Sequence, residues 1–177
     1  MSSQPNPLRG IQSSTVFVNT ALAGLNLSLS VFVVPRLLES PTPLMLRQWS
    51  SMFARTSRVF PPPILTCALS YWYMAYQTAA HHHHLPGASG KSRLLAVAGA
   101  LCFAIVPWTK FLMVGINREL LRRAEGTRDM GIMAVGMTHE EQEGAKSLVD
   151  RWGLYNLGRS IALGLGGAVG LYTIVSS

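Results

Sequence analysis

Four apolar runs, each close to twenty residues long, constrain this chain more than any other feature of its sequence. They fall near residues 15–38, 62–80, 94–117 and 153–175. A hydrocarbon layer about 30 Å thick takes roughly 20 helical residues to cross, so each run is long enough to be a membrane span. The composition agrees. Of 177 residues, 49% are hydrophobic and 13% charged, too apolar for an ordinary soluble domain and too short for two domains. The expectation is an all-α integral membrane protein, a four-helix up-down-up-down bundle in which residues 1–177 form a single membrane domain.

The fifteen Lys and Arg give a formal charge of +7, yet they form no basic stripe interleaved with aromatics, so no nucleic-acid partner is expected. They gather at the ends of the apolar runs, where they carry topology. The connectors after the first and third runs hold Arg36, Arg47, Arg55 and Arg58, then Arg118, Arg122, Arg123, Arg128, Lys146 and Arg151. The opposite side holds Arg9, Lys91 and Arg93. Ten against three places both connectors in the cytosol and both termini in a lumen or outside. A multi-pass membrane protein of this kind, if eukaryotic, belongs in the endoplasmic reticulum or a related endomembrane. All eight acids lie on the cytosolic connectors. Cys67 and Cys102 sit inside apolar runs without CxxC spacing, which argues against a disulfide framework or a zinc site.

Residues 1–12 are polar, with Pro5 and Pro7, and read as a disordered tail. The first run exceeds the 7–15 residues of a signal-peptide core and its basic residues follow it, so it is read as a span rather than a cleaved leader. Asn19, Ala23, Asn26 and Ser30 recur at i, i+4, i+7 and i+11, a seam that should face protein. Thr66, Ser70, Tyr73 and Gln77 repeat the spacing in the second run, which starts at Pro61-Pro-Pro63. Between these runs Leu46, Trp49, Met52 and Phe53 share one face of a short helix suited to the membrane interface, with a solvated connector as the alternative reading. The four histidines at 81–84 have no nearby acid to orient them and are not expected to hold a metal. Pro107 should kink the third span by removing the hydrogen bond to the Phe103 carbonyl. That helix continues to a stop at Gly126, and residues 127–137 are a loop. Thr138-His-Glu-Glu141 fits a capping box ahead of a helix running into the fourth span. There Gly166 and Gly170 share a face with Trp152, Asn156 and Arg159.

Two cations lie inside the spans. Lys110 is seven residues before Asn117, and Arg159 is seven after Trp152, so each pair shares a helical face. A charge at such depth costs roughly 2.5–3.5 kcal/mol and usually points at a partner, a cavity or a ligand. Antiparallel third and fourth spans set Lys110 and Arg159 at similar depth, with Asn117 and Asn156 above and Trp152 as a roof. Ser30 and Thr66 or Ser70 complete the expected pocket. It has no buried carboxylate pair, Ser-His-Asp triad or metal set, and is suited to holding a flat phenolic or enolic molecule as its anion. The structural alternative is that both cations snorkel and the asparagines only join helices.

The pattern Pro-Trp-Thr-x-x-x-Met-x-x-x-Asn at 107–117, followed by Arg-Trp-x-x-x-Asn-x-x-Arg at 151–159, resembles the small four-span membrane family that includes the fungal anthrone oxygenases. Gly24, Val34-Pro35 and Arg47-Gln-Trp49 share the likeness, which covers most of the chain. The resemblance implies oxidation of an anthrone to an anthraquinone with molecular oxygen as co-substrate, without metal or organic cofactor, in aromatic polyketide biosynthesis. In that reading Lys110, Arg159, Asn117 and Asn156 are catalytic, stabilising and orienting an enolate. Trp108, Thr109, Trp152 and Tyr73 bind substrate, and Tyr73, Lys110 or solvent is the base. The bilayer, and either a second copy or pathway enzymes, are the other partners. A non-enzymatic tetraspan scaffold and a small transporter are the rival readings.

Overall fold

The computed structural model describes residues 7–81, 88–129, 131 and 136–176. All regular structure among them is helical. In chain order the elements are α1 (Pro7–Ser28), a π-helical turn (Leu29–Val33), α2 (Val34–Leu38), α3 (Thr42–Val59), α4 (Pro61–His81) and α5 (Ala88–Phe103). They continue with α6 (Ile105–Trp108), a second π-helical turn (Thr109–Met113), α7 (Val114–Gly126) and α8 (His139–Val175).

The residues at element ends explain these boundaries. Pro61 opens α4, where a missing N–H costs nothing. The capping box before α8 forms as expected: the Glu141 N–H donates to Thr138 Oγ1 at 3.2 Å, and the Thr138 N–H donates to Glu141 Oε2 at 2.8 Å. Helix α7 ends at Gly126, also as expected. The expected kink takes the form of a helix break at Ala104, between α5 and α6, followed two residues after Pro107 by the second π turn. Pro35 has the same companion, since the first π turn ends just before α2, whose first turn holds that proline. A π turn absorbs one extra residue and often marks a functional position. One expectation fails at the N-terminus. Residues 7–12 are helical rather than a loose tail, and buried Gln12 donates to Thr173 Oγ1 at 2.6 Å. A polar, proline-bearing start hid a helix whose first residue is itself a proline.

The chain divides into two compact units. The first comprises Met1–Gly24, Phe60–Ile105 and Ser160–Ser177. Its core joins Val16, Leu22, Ile64, Tyr71, Met74, Leu95, Cys102 and Leu163. The glycines of α8 allow close approach here: a Cβ on Gly166 would lie 3.3 Å from the Ala98 carbonyl, and one on Gly170 would strike the Tyr71 ring. Asn19 is fully buried and donates to the Leu163 carbonyl at 3.2 Å, so the first seam does face protein. The second seam does not. Tyr73 and Thr66 are exposed, while Ile64, Cys67, Tyr71 and Met74 fill the inner face of α4.

The second unit comprises Leu25–Val59 and Val106–Arg159. Its core is Val34, Leu37, Met45, Leu46, Trp49, Met113, Leu120, Val149 and Trp152. Helix α3 is amphipathic as expected, but it buries Met45, Leu46 and Trp49 in protein. Trp49 stacks on Phe53 with ring centres 5.0 Å apart and meets the Trp152 ring edge-on at 5.8 Å.

Three helical stretches are long and apolar enough to cross a membrane: Leu8–Leu38, Ser89–Gly126 and His139–Val175. Large apolar side chains along them are exposed, among them Phe17, Phe32, Phe111, Leu154 and Leu165. Such an outside suits hydrocarbon rather than water. Helix α4 matches the expected second span in position and lacks any charge, yet is not among the three. Tyr71, Trp72, Tyr73, Tyr76 and Gln77 dilute its hydropathy.

Candidate functional site

The two motifs become two buried stripes in the second unit. On α7 and the turn before it, Met113, Asn117, Leu120 and Ala124 point inward; on α8, Ala145, Val149, Trp152 and Asn156 do. The i, i+4 spacing within each motif is thus helical periodicity expressed as burial. Trp152 Nε1 donates to Asn117 Oδ1 at 3.0 Å, joining the stripes through their polar members.

Asn156 has no exposed surface, and its amide is committed. Nδ2 donates to the Asn26 carbonyl at 2.9 Å and to Ser30 Oγ at 3.0 Å, while Oδ1 accepts from Arg159 Nη1 at 3.3 Å. Arg159 is half-buried. Its Nε is enclosed, and among the described residues it has no hydrogen-bond partner and no carboxylate pairs with the guanidinium. A buried N–H left without an acceptor costs about 1–3 kcal/mol, more on a charged group, unless something else accepts it.

Lys110 is placed differently from the expectation. It is exposed, with no hydrogen bond or ion pair among the described residues, whereas Asn117 is buried. The seven-residue phase between them assumes an unbroken α-helix, but the wider turn Thr109–Met113 intervenes. On α8 no such turn occurs, and Trp152, Asn156 and Arg159 keep their shared face. Thr109 is half-buried in the same π turn. Tyr73 belongs to the first unit, where its exposed hydroxyl accepts from Gln77 Nε2 at 2.9 Å.

Trp108 is engaged with protein. Its Nε1 donates to the Tyr155 carbonyl at 3.0 Å, and a Cβ on Gly158 would lie 2.5 Å from Trp108 Cζ2. The same device occurs independently in the first unit. There Trp72 Nε1 donates to the Ala96 carbonyl at 3.2 Å, and its ring covers Gly99 at 2.6 Å from a would-be Cβ. In both, an indole lies across a neighbouring helix, bonding residue i and covering glycine i+3. Nothing in the sequence links tryptophan and glycine on separate helices, so this pairing was not legible there. Neither was the role of Arg47, whose Nη2 donates to the carbonyls of Thr127 and Arg128 at 3.2 and 2.9 Å, just past the end of α7.

Among the described residues, no group of three or more His, Cys, Asp or Glu is arranged to hold a metal ion. His82, His83 and His84 lie outside those residues. An open hollow of about 530 Å³ lies in the first unit, lined by Ile11, Thr15, Val18, Pro63, Cys67 and Ser70 among others.

The family model for anthrone oxygenase matches residues 49–169, from the buried Trp49 to beyond Arg159. The chain belongs to the anthrone oxygenase family. Among its relatives, the monooxygenase hypC of Dothistroma septosporum is 31% identical over 168 residues, covering 92% of this chain and 81% of that protein. An anthrone oxygenase of Claviceps purpurea is 30% identical over 178 residues, covering 96% and 94%. The anthrone oxygenase ptaC of Pestalotiopsis fici is 28% identical over 137 residues, covering 76% and 89%. No solved structure matches the chain. The family match spans both motifs, so the Asn117–Trp152 and Asn156–Arg159 contacts lie within the shared region.

Proposed function

We propose that this protein is an anthrone oxygenase, converting an anthrone to an anthraquinone with molecular oxygen in fungal-type aromatic polyketide biosynthesis. Membership of the family supports the reaction, and relatives bearing that name align over most of their length. The observation that carries the site is Arg159 Nε, a buried cationic donor without an acceptor.

An anthrone carries an acidic CH2 opposite its carbonyl. Loss of one proton to a base gives an enolate with the charge on the carbonyl oxygen, where the half-buried Arg159 guanidinium donates. The enolate passes one electron to oxygen, and the carbon radical and superoxide join to form a C–O bond. Protonation gives the hydroperoxide, and loss of water across its O–O and C–H bonds gives the quinone carbonyl. The sum is one anthrone and one O2 to one anthraquinone and one water. A fixed cation stabilising charge as it develops is worth about 2.7–4 kcal/mol in comparable donors. Asn156 holds the guanidinium from behind and is a positioning residue, while Asn117 and Trp152 fix the inner wall. Lys110, exposed and outside this contact, is left to reach the membrane surface. The oxygen chemistry needs no metal, flavin or nicotinamide in this scheme.

Membranes containing the protein, given 1,8-dihydroxyanthrone, should consume one O2 per anthraquinone formed, above the rate with heat-treated membranes. Turnover should survive extensive chelation. A rate equal to the heat-treated control would remove the activity, and a chelated enzyme restored by one particular metal would remove the cofactor-free scheme.

A further inference from the structure

We propose that Ser30, in the π turn Leu29–Val33, is a positioning residue that holds the Asn156 amide in place and thereby aims Arg159. The inference rests on the reading of Arg159 as the enolate's donor and adds a residue to it.

An amide has one acceptor end and one donor end, and turning it over exchanges them. Asn156 presents its oxygen to Arg159 Nη1 and its nitrogen to the Asn26 carbonyl and Ser30 Oγ. The Arg159 face needs the oxygen, since a guanidinium has only donors. On the other side the Asn26 carbonyl, which can only accept, enforces that orientation. The Ser30 hydroxyl gives the NH2 group its second partner and, able to donate or accept, fixes where the amide sits rather than which way it faces. Asn156 is fully buried, so water cannot substitute for a lost partner without opening the packing.

Ser30 lies four residues after Asn26, on the same helical face, near the start of the π turn. Asn26 belongs to α1 and Ser30 to the wider turn that follows, yet the Asn156 nitrogen reaches an acceptor on each. The turn also lies directly ahead of Val34-Pro35, and Val34 is locked against α8, where a Cβ on Gly153 would lie 3.0 Å from Val34 Cγ1. Its phase is therefore set from both ends. The orphan Nε of Arg159 lies beyond this network, on the same guanidinium that Nη1 anchors.

The test compares wild type, Ser30→Ala, Ser30→Thr and Arg159→Met in the full-length membrane protein. It measures kcat and KM for 1,8-dihydroxyanthrone per folded molecule. It also measures, at one fixed pH, the phenolate fraction of bound 1,8-dihydroxyanthraquinone by its visible absorbance. Ser30→Ala should lower kcat about tenfold, the worth of one hydrogen bond, with KM nearly unchanged and the bound phenolate fraction reduced. Ser30→Thr, which restores the hydroxyl, should recover both. If Arg159→Met binds as much phenolate as wild type, the reading of Arg159 fails and this inference falls with it. If Arg159→Met loses the phenolate but Ser30→Ala matches wild type, the inference alone is overturned. It is equally overturned if Ser30→Thr is as impaired as Ser30→Ala, because bulk rather than the hydroxyl would then be what matters.

Discussion

Arg159 and Lys110 look equivalent in the sequence, each a cation within an apolar run, but their surroundings assign them different consequences. Arg159 has an anchored Nη1 and an enclosed, unpartnered Nε; Lys110 has an open side chain. Arg159→Met should therefore cut turnover about 10²-fold or more, the loss of a donor worth ~2.7–4 kcal/mol. Lys110→Met should leave turnover within a few-fold of wild type. Rates normalised to folded protein decide this, and a larger loss at Lys110 than at Arg159 would reverse the two roles. Removing Arg159 also takes one hydrogen bond from Asn156 Oδ1, so a modest stability change is expected alongside. Arg47 has a different task at the same scale. Its guanidinium satisfies two carbonyls at the end of α7, where a helix carries partial negative charge. Arg47→Ala should lower stability by about 1–3 kcal/mol, seen as an earlier thermal transition in detergent, with little change in kcat. A transition at the wild-type temperature would show that water serves those carbonyls equally well.

At the level of elements, the two π turns and the two Trp-over-glycine crossings do most to set geometry. The prolines that accompany the turns were visible in the sequence, and a kink near Pro107 follows from its missing N–H. The turns themselves were not visible, because an inserted residue leaves composition unchanged and shifts only phase. That shift is why Asn117 could be read as inward from its spacing while Lys110, seven residues away, could not. The crossings make a separate prediction. Gly158→Ala puts a methyl where Trp108 now lies, at 2.5 Å from Cζ2, so the indole must move and its hydrogen bond to Tyr155 must lengthen or break. Overpacking of this kind costs about 1–3 kcal/mol. Tryptophan emission should shift to longer wavelength in Gly158→Ala, while Gly115→Ala, at a glycine with open space, should match wild type. Identical spectra for both would mean that the Trp108 ring is not held as described.

For the molecule as a whole, the arginine-rich connectors favour one orientation. Ten cations on the connectors after the first and third runs stand against three on the other side, so both termini are expected on the side away from the cytosol. Tags at the two ends should share the same protease protection in sealed vesicles; protection of one end alone would mean an odd number of crossings, as three spans without α4 would give. The all-helical class, the capping box, the ends of α7 and α8 and the buried seam at Asn19 and Asn26 were all determined by the sequence, because each depends on local hydrogen bonding or on periodicity within one unbroken helix. Tertiary structure decided what depends on distant partners. It turned the Thr66 and Tyr73 face outward by giving the inner face of α4 to Ile64, Cys67, Tyr71 and Met74, and it drew residues 7–12 into a helix by burying Gln12 against Thr173. It also separated Lys110 from Arg159 in burial, since a π turn alters the phase of one helix while the other runs straight. Only the packing of α1, its π turn and α8 brought Asn26, Ser30 and Asn156 together, three residues up to 130 positions apart whose hydrogen bonds no spacing within a single helix could announce.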